Sequence, residues 1–235
     1  MAKFMIDADF WAVFPEAQIN VLTVKNIDNH VPEDTSYFYE LLNNASKGAA
    51  QCLMADVFSQ NQVIDEWRKA FAKFKTKKGA RSSIEALLKR AHQGREFAPI
   101  NPLVDIYNSI SLKYAVPCGG EDLHKIVGDL HLGKAKGGES FLPLGADEDV
   151  PALPGEIMYF DDEGAICRCL NWREAQRTML TEETTDAVLV IEAINSEQAA
   201  RANEAINELK QLVDAYFNTE SAVKYLTKDE AVFEL

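Results

Sequence analysis

Apolar residues along the first part of the chain recur with two different periods. Ile19-Asn20-Val21-Leu22-Thr23-Val24 alternates apolar and polar positions in the manner of a strand, and Lys3 to Ile6 can form a shorter one. Pro32 and the acids around it break that pattern. Helical spacing then takes over. A cap at Thr35 or Ser36 opens a stretch with Tyr37, Phe38, Leu41 and Leu42 on one side. From Val57 to Phe74 the residues Phe58, Val63, Trp67, Phe71 and Phe74 fall at mostly three- and four-residue intervals, with Arg68, Lys69 and Lys73 on other faces. A basic turn, Lys75-Thr76-Lys77-Lys78-Gly79, leads to Ser82-Ser83-Ile84-Glu85, which has the spacing of a capping box. Ile84, Leu87, Leu88 and Ala91 give the next helix its buried stripe, and Gly94 ends it.

Beyond Phe97 the character changes. Pro99-Ile100-Asn101-Pro102 is a rigid lead-in to a helix carrying Leu103, Ile106, Tyr107 and Ile110. Val116-Pro117-Cys118-Gly119-Gly120 reads as a sharp glycine turn. Short strands are expected at 126–132, 140–144, 157–160, 165–170 and 188–193, with Asp162-Glu163-Gly164 turning between two of them. Ser196 caps a long helix rich in strong helix formers, and 225–235 adds a strand or an irregular tail. There is no internal repeat and no convincing linker. Residues 1–60 are therefore expected as an N-terminal β and helical elaboration, packed on a main domain of residues 61–235 as one structural unit.

The 235 residues can bury a sizeable core. No window approaches the ~18 consecutive apolar residues of a membrane span, and the N-terminus lacks a signal-peptide core. A soluble, cytoplasmic protein with no membrane partner is expected. The four cysteines, Cys52, Cys118, Cys167 and Cys169, are too few for a disulfide framework. The histidines supply no ligand set at zinc spacing, so no metal and no other cofactor is expected. The net charge of −13 argues against nucleic acid, but it is unevenly spread: from Arg68 to Arg95, Lys and Arg outnumber acids ten to one. A basic block on an acidic body can meet a phosphate backbone, and Arg68, Lys77, Lys78 and Arg81 are its candidate RNA contacts. The plain alternative is a solvated helix face followed by a lysine-rich turn.

Ile100 to Leu123, INPLVDIYNSISLKYAVPCGGEDL, carries a more specific pattern. It resembles the first block of the B3/B4 editing module of the phenylalanyl-tRNA synthetase β-subunit. Ile100, Val104, Asp105, Asn108, Pro117, Asp122 and Leu123 fall on that family's positions without a gap. The chain is more similar still to the stand-alone B3/4 proteins, which lack the synthetase catalytic core. Trp67-Arg68, the run from Arg81 to Leu88, Arg168-Cys169-Leu170-Asn171-Trp172-Arg173, Arg177-Thr178 and Glu192 all fit that group. The likeness covers roughly residues 60 to 215.

That resemblance implies a mixed α/β fold of the α+β class, with a central, mostly antiparallel sheet flanked by helices. It also implies an activity, since in the synthetase the module hydrolyses tyrosine wrongly attached to the tRNA for phenylalanine. The family's pocket positions fall on Tyr107, Gly119 and Glu192. Two of them depart from the pattern. Tyr107 stands where the synthetase has threonine, and Gly119 where it has histidine, which implies the same pocket with a different specificity.

Ester hydrolysis needs an oriented water, a site for the developing oxyanion and a grip on the amino acid. It needs no strong protein nucleophile, because the ester is activated and the neighbouring ribose hydroxyl can assist. Amides of Gly119 and Gly120 are candidate oxyanion donors. Glu192 is a candidate catalytic carboxylate, because an acid between Ile191 and Ala193 must find a partner or line a pocket. Asp122 is a second candidate, and Arg168, Arg173 and Arg177 are candidate clamps for phosphate or carboxylate. Asn101, Asp105, Tyr107, Asn108, Asn171 and Trp172 complete the candidate substrate contacts. Several have structural alternatives: Asp105 and Asn108 as local hydrogen-bonding residues, Trp172 as core, Arg168 as the ion-pair partner of Glu192.

The P-loop, Gly-x-Gly-x-x-Gly and Gly-x-Ser-x-Gly motifs are absent, which removes common nucleotide-binding and serine-hydrolase classes. Two readings stay open. One is a trans-acting hydrolase that deacylates mischarged aminoacyl-tRNA, with aminoacylated tRNA as partner and no DNA. The other is a non-catalytic module that holds tRNA or a small amino-acid-like ligand. Both RNA readings are strengthened if the basic segment lies beside Gly119 and Gly120. Amino acid, tRNA and oligomeric state are not legible.

Overall fold

The computed structural model describes residues 2–235. Its strands are β1 (Lys3–Ile6), β2 (Gln18–Val24), β3 (Cys118–Asp122), β4 (Leu130–Lys134), β5 (Ile157–Phe160), β6 (Ala165–Arg168), β7 (Arg173–Glu174), β8 (Ala187–Ala193), β9 (Ala222–Leu226) and β10 (Val232–Glu234). Its α-helices are α1 (Ala8–Val13), α2 (Ser36–Gly48), α3 (Gln62–Phe71), α4 (Ser83–His92), α5 (Pro102–Tyr114) and α6 (Ser196–Phe217). The strands form two sheets, one ordered β10-β1-β4-β5-β6-β7 and the other β3-β8-β2-β9. Among the described residues only the β1–β4 pair is parallel. This is a mixed α+β fold.

Strand β8 organises the smaller sheet. Its sequence, AVLVIEA, is nearly all apolar, and every one of its residues is buried. A strand covered on both faces reads as a continuous hydrophobic run. Alternation still decides which way each side chain points. Leu189 and Ile191 join Leu22 and Val24 of β2 in a core built with Ile106 and Ile110 of α5 and Ile206 and Leu209 of α6. Val188 and Val190 join Ile19 and Val21 in a second core, against Phe4, Leu132, Ile157 and Tyr159 of the larger sheet. Each fully buried Leu, Ile or Val contributes roughly 1.5–3 kcal/mol. The molecule is thus layered as sheet, sheet and helices.

The first sixty residues supply interior strands to both sheets. β1 lies between β10 and β4, and β2 lies between β8 and β9.

Several local expectations are corrected. The glycine turn is a strand: Cys118 to Asp122 pairs along β8 from Ile191 to Ala187. Glycine there answers a need for room, not for a left-handed backbone, since neither Gly119 nor Gly120 has positive φ. Residues 140–144 form no strand beyond a single bridge between Pro143 and Ala175. The helix expected over 57–74 starts at Gln62, after a separate 3₁₀ turn at Phe58–Gln60. The capping box is not made either. Ser82 sits at the N-cap of α4 without a side-chain bond, because Glu85 turns away to bind Arg68. Asn195, not Ser196, caps α6 by accepting from the Gln198 amide.

Arg168 is also not the partner of Glu192. It follows Cys167 in β6, so the two point to opposite faces, and Cys167 takes the inner one. On the outer face Arg168 is 1% exposed and binds Glu156 through Nε (2.8 Å) and Nη2 (2.6 Å), while Nη1 donates to the Val150 carbonyl (2.6 Å). This pair ties the 136–156 loop over a small core of Phe141, Met158, Ala165 and Ala175. Truncating one member of a buried pair leaves the other charge uncompensated. Arg168→Ala is therefore expected to lower unfolding free energy by about 3–5 kcal/mol. A urea-unfolding comparison checks this, and an unchanged midpoint would contradict it.

Candidate active site between the sheets

A cavity of about 440 Å³ opens between the two sheets. Its floor follows from strand parity. Val188, Val190 and Glu192 alternate along β8, so all three face the larger sheet and line the cavity. β3 pairs Gly119 with Val190 and Glu121 with Val188, which puts Gly119 and Glu121 on that same face. Tyr159 of β5, Cys167 of β6 and Glu174 of β7 come from the opposite sheet. Ser83 and Leu87 of α4 and Tyr107 and Asn108 of α5 close the remaining sides.

The chain reaches β7 through a strained turn. Cys169 (φ 50°) and Leu170 (φ 64°) both occupy the left-handed region and both are buried. Each such non-glycine residue costs of order 1 kcal/mol or more. The reversal delivers Asn171, Trp172, Arg173 and Glu174 in succession to the cavity wall. The Ser83 amide donates to the Asn171 carbonyl, fastening this turn to the start of α4.

Three carboxylates share the space. Glu192, 2% exposed, accepts from the Tyr159 hydroxyl at 3.0 Å and from Asn171 Nδ2 at 3.3 Å. Burial outweighs both bonds and pushes its carboxyl up to about 7. Glu174 is also pushed up to about 7 by burial, against the pull of the Gly120 amide. Glu121 is raised well above the carboxylate range, by burial first and by the Glu174 charge second. Its Oε2 is buried with no hydrogen-bond partner. Gly119 makes room for this arrangement, since a Cβ there would sit 3.3 Å from Glu174 Oε1. Burial raises the Cys118 and Cys167 thiols well above their ordinary value, so neither is a thiolate nucleophile at neutral pH.

Eight of the residues expected from sequence line the cavity: Tyr107, Asn108, Gly119, Gly120, Asn171, Trp172, Arg173 and Glu192. Five lie elsewhere. Asn101 caps α5 by accepting from the Val104 amide. Asp105 accepts from the Ile100 amide, and burial lifts its carboxyl to about 6. Asp122 accepts from Thr184 Oγ1 and the His124 amide. Arg168 is spent on Glu156, and Arg177 makes a two-point contact with Asp161. Of the basic candidates, Arg68 binds Glu85 (Nη2–Oε1 2.6 Å), and Arg81 reaches the same carboxylate at 3.4 Å. Glu85 is 2% exposed, so the charge it offsets on Arg68 and Arg81 is compensated inside the protein. Lys78 is exposed. Lys77 Nζ is 5.6 Å from the ring centre of Trp172, which lines the cavity, and the Arg173 guanidinium is 5.4 Å from the same ring. Of the basic segment, Ser83, Ala86 and Leu87 line the same cavity as Gly119 and Gly120, and none of its lysines or arginines does.

Glu121, Glu174 and Tyr159 are functional candidates that sequence reasoning passed over. Reading Cys118 to Asp122 as a strand would have set Glu121 on the Gly119 face. Glu174 carried no such signal, because its position depends on the strained turn.

The sequence matches the family described as the B3/4 domain over residues 66–227. The phenylalanine–tRNA ligase beta subunit of Mycoplasma genitalium is 28% identical over 130 residues, 55% of this chain and 15% of that protein. The chain therefore spans only a small part of that relative's length. An N-terminal fragment of the phenylalanyl-tRNA synthetase beta-subunit from Pyrococcus horikoshii superposes with a TM-score of 0.48 at 13% identity, covering 93% of this chain and 49% of that one. Among the described residues no helix is long and apolar enough to cross a membrane.

The raised carboxyl of Glu192 has a consequence for stability. A glutamate near 4.5 when unfolded and about 7 when folded binds its proton more tightly in the native state. Its stabilising contribution is complete below about 4.5 and is lost as pH rises through about 7. Glu192→Gln removes that loss, and Asn171 can rotate its amide to meet the new donor. The variant should gain stability relative to the parent as pH rises from 4.5 to 8, by on the order of 3 kcal/mol at most. Paired thermal melts across that range measure the gain. A difference independent of pH would show that Glu192 is not proton-linked to folding.

Proposed function

The chain belongs to the B3/4 domain family, and from that premise we propose that it binds aminoacylated tRNA and hydrolyses the ester of a wrongly charged one in trans. The observation that carries the reading is a half-open cavity that holds carboxyls raised to about 7, with a cationic, aromatic rim. Trp172 between Lys77 and Arg173 offers a stacking surface for the terminal base and two cations for the adjoining phosphates. The aminoacyl group then enters the cavity.

Glu174 is the residue best suited to activate water. It is half-buried, whereas Glu192 is enclosed and already bonded on both oxygens. A carboxyl near 7 is a competent general base at neutral pH. In this scheme the water oxygen bonds to the ester carbonyl carbon while its proton passes to Glu174. Collapse of the tetrahedral intermediate breaks the bond to the ribose oxygen, which takes the proton back and leaves as the hydroxyl. The Gly120 amide favours the ionised form of Glu174. Glu192, fixed by Tyr159 and Asn171, meets the polar end of the amino acid.

A deacylation screen against correctly and wrongly charged tRNAs tests the proposal. Release of one class of amino acid is expected, with the rate rising with pH through about 7 as Glu174 ionises. Glu174→Gln should lower it by about 100-fold or more. Absence of release from every charged tRNA would rule out hydrolysis and leave the binding-module reading, which predicts salt-dependent tRNA binding alone. In such a titration Lys77→Ala and Arg173→Ala should each reduce the salt slope by about one. Unchanged slopes would place the phosphates on another surface.

A further inference from the structure

We propose that the cavity selects an aminoacyl group whose side chain is itself a cation, an ammonium or a guanidinium, in preference to a neutral aromatic one. The inference rests on the editing reading for the ester, but the charge preference stands on the cavity alone.

Several polar groups in the cavity are left without partners. Glu121 Oε2 and Asn171 Oδ1 are both buried, in side chains each 7% exposed, and neither has a hydrogen-bond donor. Both residues line the cavity. Glu174 receives only the Gly120 amide. These groups are all acceptors. Two further orphan hydroxyls, Ser83 on the wall and Thr178 beside Glu121, can donate or accept, and Thr178 favours the ionised form of Glu121. A ligand that completes this set must bring several N–H donors, and buried acceptors left unmet are costly.

Charge points the same way. Three nearby arginines are committed elsewhere, Arg68 to Glu85, Arg168 to Glu156 and Arg177 to Asp161, and the fourth, Arg173, is exposed and lies over the Trp172 ring. Arg177 lies close enough to favour the ionised form of Glu121, but its two-point contact is with Asp161. The other ionisable groups lining the cavity are Tyr107, Tyr159, Cys118 and Cys167, which supply no positive charge, and Arg173, whose exposed guanidinium is 5.4 Å from the Trp172 ring centre. Among the described residues these acids do not converge as a metal-binding set. An aminoacyl ester with a basic side chain brings two cations. Its α-ammonium and its side-chain cation together can balance ionised carboxylates that otherwise retain protons.

A neutral phenol fits less well. The Tyr159 hydroxyl already donates to Glu192 Oε1, the bond a substrate phenol would have to make. Leu87, Leu130, Val188 and Val190 provide an apolar sleeve suited to a methylene stem.

The test uses 3′-amide analogues of aminoacyl-adenosine, which cannot be hydrolysed, carrying lysine, arginine, phenylalanine or tyrosine. Titration calorimetry at pH 7 in two buffers of different ionisation enthalpy reads affinity and proton release together. The lysyl or arginyl analogue is expected to bind at least about tenfold more tightly than either aromatic one, with net proton release. Glu121→Gln, and separately Glu174→Gln, should each narrow that preference to about threefold or less in protein whose thermal melt remains cooperative. Equal or tighter binding of an aromatic analogue, or binding of none of the four, would overturn the proposal. Deacylation of neutral aminoacyl-tRNAs without a basic preference would also overturn it while leaving the editing reading intact. Preferential binding of a basic analogue by a protein that deacylates nothing would do the reverse.

Discussion

Burial of β8 on both faces is the constraint from which the rest of the architecture follows. A strand in that position has no side chain to give to water, so each residue must satisfy one of two interiors. The odd-numbered members Leu189 and Ile191 serve the helical layer, and Val188 and Val190 serve the space between the sheets. Glu192 falls on the second face by parity. It cannot be moved out without shifting the register of the whole strand, which would turn every apolar neighbour to the wrong side. The carboxylate is therefore held between the sheets by the same alternation that builds the core.

The cost of that placement is visible in its surroundings. Glu192 keeps two hydrogen bonds, yet desolvation still dominates its proton affinity. Glu174 and Glu121 add like charge to the same volume. A space filled by apolar residues would be more stable, and clustering of strained and desolvated groups is the usual mark of a functional site. The left-handed pair Cys169 and Leu170 belongs to the same cluster, because that turn brings Glu174 opposite Gly119. By contrast, the buried Arg168–Glu156 pair lies on the other face of the larger sheet and serves only to fasten a loop.

Electrostatics outside the cavity follow a division of labour. The chain is strongly acidic, with its cations concentrated between Arg68 and Arg95. Part of that positive charge is neutralised by Glu85, which draws Arg68 and Arg81 together. Beside Trp172 on the cavity wall stand Lys77 of that segment and Arg173 of β7. An acidic interior beneath a cationic rim is suited to a ligand that is anionic at one end and cationic at the other.

Much of the fold was legible in the sequence because its signals were local. The period of Ile19–Val24, the run Val188–Ala193 and the helix formers after Ser196 each specify an element without reference to the rest of the chain. Family likeness drew attention to Tyr107, Gly119 and Glu192, and all three line one cavity. Tertiary structure decided what depends on partners distant in sequence. Two adjacent glycines read as a turn until β8 is there to pair with them, and the Ser82–Glu85 spacing reads as a cap until Arg68 offers Glu85 a charged partner. Arg168 and Cys167 are one residue apart, and only the positions of the loop and the second sheet settle that the cysteine faces the cavity and the arginine faces Glu156. Sequence alone thus determined those elements whose signal is short-range periodicity. The company each polar group keeps was left to the packed structure, because hydrogen bonds and desolvation depend on atoms brought together only by folding.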